Sequence, residues 1–160
     1  MTISVGDRIP AMALKAASND GPKDVDTGDI FGGRTVVLFS VPGAFTPTCS
    51  AKHLPGFIEK YDQLKAKGVD EVVCLAVNDA FVMTAWGRMN ECLDKVTMLA
   101  DGNAQFTKAL GLELDASKNH MGTRGQRFAL IARDGVVEHL FVEEAGQFNV
   151  SSADNVLAHL

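Results

Sequence analysis

One cysteine in this sequence has the surroundings of a reactive thiol. It stands in Val41-Pro-Gly-Ala-Phe-Thr-Pro-Thr-Cys-Ser50, directly after an apolar run. If Thr46 is the N-cap of a helix, Pro47 takes the first helical position and Cys49 the third. Unpaired backbone N–H groups and the positive end of the helix dipole lie there, and both favour a thiolate over a thiol. Because the thiolate is the nucleophilic form, the spacing predicts redox or nucleophilic chemistry at Cys49.

Two neighbours in this segment could assist the thiol. The Thr46 hydroxyl can donate to the sulfur or orient a substrate oxygen while its lone pairs accept, although helix capping competes for it. Pro42 has a fixed φ and no N–H, so we expect it to shield the sulfur from water and to stiffen the loop. The segment therefore predicts a preorganised site at the end of a strand.

A histidine on the same predicted helix offers a different chemistry. His53 follows Cys49 by four residues, and a Cys–His pair could act in acyl or aldehyde chemistry or supply half of a metal site. No third ligand stands nearby, so we predict no metal site and expect His53 to be a surface or structural residue. Pro55 should bend the helix, which could let its first turn unwind after oxidation.

The elements that position Cys49 follow from the apolar runs of the chain. Apolar runs predict strands at 34–41 and 71–77. Between them a helix is predicted at 47–67, ending at the capping residue Gly68. This order of strand, helix and strand predicts a parallel βαβ unit. A further strand is predicted at 96–99, and three further helices are predicted at 80–88, 103–110 and 152–160. The turn Arg133-Asp134-Gly135 predicts an antiparallel hairpin of 127–132 with 136–142. Residues 6–33 are expected to be irregular, and the whole predicts a mixed sheet flanked by helices.

The composition is that of one globular domain covering residues 1–160. Hydrophobic residues make up 46% and charged residues 22%, and the net charge is −5 with a pI near 5.3. This balance offers no basic surface for nucleic acid or an anionic membrane. No apolar run approaches the roughly 20 residues of a membrane span. Residues 1–10 lack the pattern of a secretory signal, so we expect a cytoplasmic protein.

The active-site segment resembles a known family. Pro42-Gly-Ala-Phe-Thr46-Pro-Thr-Cys49 fits the P-x-x-x-T-x-x-C pattern of the peroxiredoxins. Resemblance to their type II/type V branch continues over nearly the whole chain, at 53–57, 75–81, 86–88, 99–101 and 127–128. It implies an α/β, thioredoxin-like fold and a peroxidatic cysteine that attacks the O–O bond of hydrogen peroxide or an alkyl hydroperoxide and becomes a sulfenic acid. It implies no metal, haem or flavin.

The same resemblance assigns the site residues. The peroxidatic cysteine corresponds to Cys49, the threonine to Thr46, the loop proline to Pro42 and the active-site arginine to Arg127. A guanidinium can stabilise a thiolate and polarise a leaving oxygen together. Arg124 competes for this role, but Arg127 begins a predicted strand and directly precedes a phenylalanine, as in the family.

The remaining cysteines predict how the enzyme would be recycled. Cys74, a candidate secondary thiol, resembles the second cysteine of plant-like type II members, yet its mid-strand position predicts a buried core residue. Cys92, near a helix end, is expected to be incidental, or an exposed thiol able to form a mixed disulfide. Where some type V members carry a resolving cysteine, this chain has only Ser151 and Ser152. The pattern favours a one-cysteine cycle, with glutathione and glutaredoxin, or thioredoxin, as reductant.

Two other functions stay open on the sequence. A redox sensor or thiol-dependent partner-binding protein would use the same cysteine without sustained turnover, and a Cys–His hydrolase would ignore peroxide. The family's end-on dimers make a homodimer an expectation, with Phe45 at the interface or at the peroxide entrance. We expect the aromatic residues Trp86, Phe57 and Phe81 to lie in the core or an interface. We expect Asp79 and Asp101 to cap helices or face solvent.

Overall fold

The computed structural model describes residues 1–160, and its centre is a mixed sheet of seven strands. The strands of this sheet are β1 (Ala13–Ala16), β2 (Lys23–Asp26), β3 (Thr35–Ser40), β4 (Glu71–Ala76), β5 (Val96–Ala100), β8 (Phe128–Arg133) and β9 (Val136–Val142). A separate two-stranded sheet pairs β6 (Glu113–Asp115) with β7 (Thr123–Gly125). The helices are α1 (Thr27–Phe31), α2 (Leu54–Glu59), α3 (Tyr61–Ala66), α4 (Ala80–Met89), α5 (Gln105–Ala109) and α6 (Ala153–Ala158), with a short 3₁₀ turn at Ser117–Asn119.

The strand order confirms the predicted mixed sheet. It runs β2-β1-β5-β4-β3-β8-β9, with β3, β4 and β5 parallel and the other neighbours antiparallel. The central strands β3 and β4 are almost wholly buried because helices cover both faces, which explains their unbroken apolar sequences. Two apolar cores result, one on each face, and Cys49 belongs to one of them.

The predicted hairpin is confirmed in detail. Strands β8 and β9 are joined through Asp134 (φ 48°) and Gly135 (φ 74°). Two successive positive φ angles are those of a type I′ turn, whose twist matches that of the flanking strands. The first strand begins at Phe128, so Arg127 lies immediately before it and not inside it.

The irregular opening predicted for residues 6–33 is wrong, because this stretch contains β1, β2 and α1. Both strands are only four residues long and mostly exposed or half-buried, so neither has an apolar alternation to reveal it. Their order comes from tertiary pairing, since β1 is hydrogen-bonded to β5 and β2, the edge strand, is hydrogen-bonded to β1. The β6/β7 pair was missed for the same reason.

The single helix predicted over 47–67 is interrupted twice. Helical backbone begins at Pro47, but Cys49–His53 forms a π-helical turn in which the N–H of Leu54 reaches the carbonyl of Cys49. Pro55 follows directly and has no N–H to continue an α-helical ladder. A second break at Lys60 separates α2 from α3. The predicted end at Gly68 is confirmed by its φ of 95°.

Several single-residue expectations can be judged from burial. Trp86 and Phe57 are fully buried, as expected for core residues. Phe81 is 73% exposed, so the core alternative is wrong for it, and Phe45 is 48% exposed. Asp79 caps α4 as expected. Asp101 accepts hydrogen bonds at the start of α5 but is buried and not solvated. None of the helices is both long and apolar enough to span a bilayer.

Candidate active site

The loop between β3 and the helix of Cys49 is held by backbone and side-chain hydrogen bonds. The N–H of Val41 donates to the carbonyl of Leu75 on the neighbouring strand, and the N–H of Ala44 donates to Asn78 Oδ1. Phe45 takes a φ of 68°, a conformation that L-residues rarely adopt and that surrounding contacts must enforce. The loop thus has the fixed shape that the sequence predicted.

Thr46 occupies the predicted N-cap position, but its side chain does not cap the helix. Its hydroxyl donates to the carbonyl of Gly43 at 2.7 Å and makes no hydrogen bond with the Cys49 sulfur. The backbone carbonyl of Thr46 accepts from Ser50, which starts the helical ladder. With the proton committed to Gly43, the lone pairs of the hydroxyl are free to accept from a ligand.

Arg127 reaches the Cys49 sulfur. Its Nη2 donates to Cys49 Sγ at 3.2 Å, while the competing Arg124 donates to the carbonyls of Pro42 and Met121 instead. Cys49 is fully buried and Arg127 half-buried. The guanidinium thus places a permanent positive charge and an N–H donor directly at the buried sulfur.

His53 lies inside the site and not on the surface, which corrects the surface alternative of its sequence prediction. Its side chain is fully buried and packs against Phe39 and Phe148. His53 Nδ1 lies 2.8 Å from Arg127 Nη1, and Nε2 lies 2.9 Å from the carbonyl of Ser151. A guanidinium only donates and a carbonyl only accepts, so the ring must be neutral with its proton on Nε2.

This arrangement excludes the Cys–His hydrolase. Both ring nitrogens of His53 are occupied by partners other than Cys49, so the ring has no free nitrogen with which to take the thiol proton. No group of three or more His, Cys, Asp or Glu side chains in the protein could hold a metal ion.

Neutral His53 makes the stability of the protein depend on pH. Burial, and then the charge of Arg127, lower the pKa of His53 from 6.5 to about 3. Below pH 6.5 only the unfolded chain takes up the proton, so stability falls as the pH drops from about 6.5 towards 3. We expect the free energy of unfolding to fall by about 2 kcal/mol, through His53 alone, as the pH drops from about 7 to about 5.

Denaturant unfolding of wild type and His53→Asn across this pH range measures that loss. In His53→Asn the free energy of unfolding should no longer show this fall with decreasing pH. The control His120→Asn, which changes an exposed loop histidine, should show the same fall as wild type. Parallel profiles for wild type and His53→Asn would contradict the assignment.

Cys74 and Cys92 are both fully buried, which confirms the expectation for Cys74 and corrects the exposed alternative for Cys92. Burial, with the neighbouring Cys49 as the next cause, raises the pKa of the Cys74 thiol well above its usual value. Burial and the charge of Asp94 raise the pKa of Cys92 to about 11. Neither thiol is ready to react as a thiolate, and all three cysteines are free.

Glu143 is a buried charged residue that the sequence did not reveal. Its Oε2 accepts from the N–H groups of Asn149, Val150 and Ser151 and from the Ser151 hydroxyl, at 2.7–2.8 Å. Burial opposes its ionisation, but these four hydrogen bonds outweigh it and hold the pKa of the carboxyl below its usual value. The carboxylate thereby fixes the segment that carries Ser151 beside His53.

A cleft of about 370 Å³ gives access to the site. Pro42, Thr48, Arg127 and Glu143 line it, and Pro42 is half-buried there. A larger cavity of about 570 Å³ lies near Phe81 and contains none of these residues. The cleft therefore brings solvent to Pro42 and Arg127, while Cys49 itself is buried behind its lining.

Comparisons with known proteins identify the family to which the chain belongs. Residues 4–157 match the family described as Redoxin. Peroxiredoxin-2B of Arabidopsis thaliana is 48% identical over 159 residues, covering 99% of this chain and 98% of that protein. The chloroplastic Peroxiredoxin-2E-2 of Oryza sativa subsp. japonica is 52% identical over 164 residues, covering 99% of this chain and 73% of that protein. The crystal structure of reduced Prx3 from Vibrio vulnificus in complex with H2O2 has a TM-score of 0.94 and 49% identity, covering 99% of both chains.

The fold and the buried thiol site thus define a thioredoxin-like, thiol-dependent oxidoreductase, and the expected fold class is confirmed. The chain belongs to the peroxiredoxin family and is a thiol-dependent peroxidase.

Gly43 is a place where a single methyl group should disturb this peroxidase. A Cβ there would lie 2.8 Å from Arg124 Nη1 and 3.2 Å from Thr46 Cγ2. We expect Gly43→Ala to slow the reaction with peroxide by roughly 10-fold, because the added methyl group displaces the Arg124 guanidinium and crowds the Thr46 side chain. Gly56→Ala, where nothing lies within 4 Å, is the matched control and should react like wild type. Equal rates for the two variants in rapid-mixing experiments would show that the loop tolerates displacement.

Proposed function

We propose that the protein reduces hydrogen peroxide and alkyl hydroperoxides through Cys49, with Thr46, Pro42 and Arg127 assisting. The observation that carries this proposal is the 3.2 Å contact of Arg127 Nη2 with Cys49 Sγ, made by an arginine that also lines a cleft. No other thiol in the chain has a cationic hydrogen-bond donor at its sulfur.

The reaction step balances without a cofactor. The Cys49 thiolate attacks one peroxide oxygen, and an S–O bond forms as the O–O bond breaks. The sulfur is oxidised to a sulfenic acid, and the leaving hydroxide or alkoxide takes a proton to give water or an alcohol. The Arg127 guanidinium stabilises the negative charge, through its N–H donors, as that charge moves from the sulfur to the leaving oxygen. Thr46 accepts from the peroxide O–H, since its own proton is held by Gly43.

For the recycling step we propose a one-cysteine cycle with an external thiol. Cys74 and Cys92 are fully buried, and residues 151 and 152 are serines. An external thiol condenses with the sulfenic acid to give a mixed disulfide and water, and a second thiol releases Cys49. We propose glutathione with glutaredoxin as the donor, with thioredoxin as the alternative.

Steady-state consumption of hydrogen peroxide and of an alkyl hydroperoxide tests the donor. Wild-type protein is supplied either with glutathione and glutaredoxin or with thioredoxin and its reductase. The proposal expects turnover with glutathione and glutaredoxin, unchanged in Cys74→Ala. Turnover with thioredoxin alone would identify thioredoxin, and not glutathione with glutaredoxin, as the donor. Loss of turnover in Cys74→Ala would show that an internal disulfide forms.

A peroxide sensor is the second candidate, and the complete burial of Cys49 favours it. An external thiol reaches the sulfur only after the π-helical turn opens, so an oxidised form that stays closed would persist and be read by a partner protein. Consumption of one equivalent of peroxide followed by arrest with every donor would favour the sensor over the cycling enzyme.

We further propose a homodimer and, on the sequence alone, a cytoplasmic location. Phe45 and Phe81 are large exposed aromatic side chains. Phe45 lies on the loop after β3 and Phe81 in the first turn of α4, and the Ala44–Asn78 hydrogen bond joins that loop to the segment just before α4. An exposed apolar patch of this kind is typical of an interface. Sedimentation should give a dimer that Phe81→Glu weakens, and a monomeric wild type would contradict this.

A further inference from the structure

A closed ring of hydrogen bonds surrounds the catalytic arginine. The backbone carbonyl of Arg127 accepts from the N–H of Glu143, and the Glu143 carboxylate binds the N–H and hydroxyl of Ser151. The Ser151 carbonyl meets His53 Nε2, and His53 Nδ1 meets the guanidinium of Arg127. The ring begins and ends on the same arginine, so its backbone and side chain are both fixed relative to the segment at Ser151.

His53 is the only member of this ring that contacts the guanidinium through a hydrogen bond. Nη1 of Arg127 donates to His53 and Nη2 to Cys49. Because the guanidinium is planar and rigid, fixing Nη1 also fixes the direction of Nη2. The Phe148 ring lies 5.9 Å from the Arg127 guanidinium carbon and restricts it from another side.

The His53 ring is itself well restrained. It is fully buried, packs against Phe39, Phe57 and Phe148, and can satisfy both hydrogen bonds only in the Nε2–H form. The π-helical turn places it on the buried side of the same segment as Cys49, so sulfur, ring and guanidinium belong to one rigid unit.

We infer that His53 is a positioning residue of the peroxidase reaction, which aims the Arg127 guanidinium at Cys49 by accepting from Nη1 while the Ser151 carbonyl holds its ring. It takes no proton and touches no peroxide. The inference rests on the proposed function, in which Arg127 stabilises the charge that moves from sulfur to oxygen.

Two conservative variants separate the two hydrogen bonds of His53. Asparagine places an acceptor near the Nδ1 position and glutamine places a donor near the Nε2 position. We expect His53→Asn to keep the rate of reaction with hydrogen peroxide within roughly fivefold of wild type. We expect His53→Gln and His53→Ala to lower it by roughly 10- to 100-fold, the effect of removing an outer-shell hydrogen bond to a catalytic group. A fast His53→Gln with a slow His53→Asn would overturn the inference.

A double-mutant cycle with Arg127→Met adds a readout that a structural role would not move. If His53 acts through Arg127, His53→Gln should change the rate by no more than about twofold in the Arg127→Met background. The same fold loss in both backgrounds would overturn the inference, even if the variants are less stable. Failure of wild type to react with peroxide would instead refute the proposed function itself.

Discussion

Replacing Cys49 by serine is expected to abolish peroxide reduction completely. The serine hydroxyl is a far weaker nucleophile than a thiolate, and oxygen cannot take up the transferred peroxide oxygen as sulfur does. Arg127 would remain in place, so the folded site would persist without its reacting atom. The measurement is peroxide consumption with the donor that sustains wild-type turnover.

Cys74→Ala and Cys92→Ala are the matched controls for this loss. Both thiols are buried in the core, so alanine is chosen over serine to avoid burying an unpaired hydroxyl. Both variants should turn over like wild type, with some loss of stability. Residual turnover in Cys49→Ser would show that a different sulfur performs the first step. Loss of turnover in either alanine variant would show that the missing thiol is needed to recycle the oxidised enzyme.

Arg127→Met should slow the reaction of reduced protein with hydrogen peroxide by roughly 100- to 1,000-fold. This is the usual cost of removing one donor that stabilises developing charge on oxygen. Methionine keeps much of the volume of the side chain but neither the charge nor the donor that meets Cys49 at 3.2 Å. Arg127→Lys should recover only part of the rate, because an ammonium cannot contact His53 and Cys49 as a planar fork does.

The rate can be followed through Trp86, the only tryptophan of the chain. Its Nε1 donates to the hydroxyl of Ser50, next to Cys49, so its fluorescence should report a change at the sulfur. Arg133→Gln, which removes an exposed arginine from a surface ion pair with Glu138, is the control and should react like wild type. An Arg127→Met rate within a few-fold of wild type would remove Arg127 from the mechanism.

The sequence predicted the parts of the fold that local patterns determine. The apolar runs of β3 and β4, the Asp134-Gly135 turn and the capping Gly68 each leave a local signature, and each lies where it was expected. The contact of Cys49 with Arg127 was predicted from the resemblance, since 78 residues separate the two and no periodicity links them.

The parts that were missed depend on tertiary contacts. Strand β1 is ordered by pairing with β5, and β2 by pairing with β1. The role of Glu143 depends on three backbone N–H groups of a later loop. His53 was expected to be a surface or structural residue. Its place in the site could not be predicted, because its partners Arg127 and Ser151 lie far along the chain. One signal was available: Pro55 interrupts the helix just after His53, and π-helical turns of this kind are often found at functional sites.

The most direct test of the account is to identify the oxidised atom. Reduced protein is mixed with one equivalent of hydrogen peroxide in the presence of a reagent that traps sulfenic acids, and the adduct is located by mass spectrometry of peptides. The account predicts one adduct, on Cys49, and greatly slowed adduct formation in Arg127→Met. An adduct on Cys74 or Cys92 at this stoichiometry, or none at all while peroxide disappears, would contradict it.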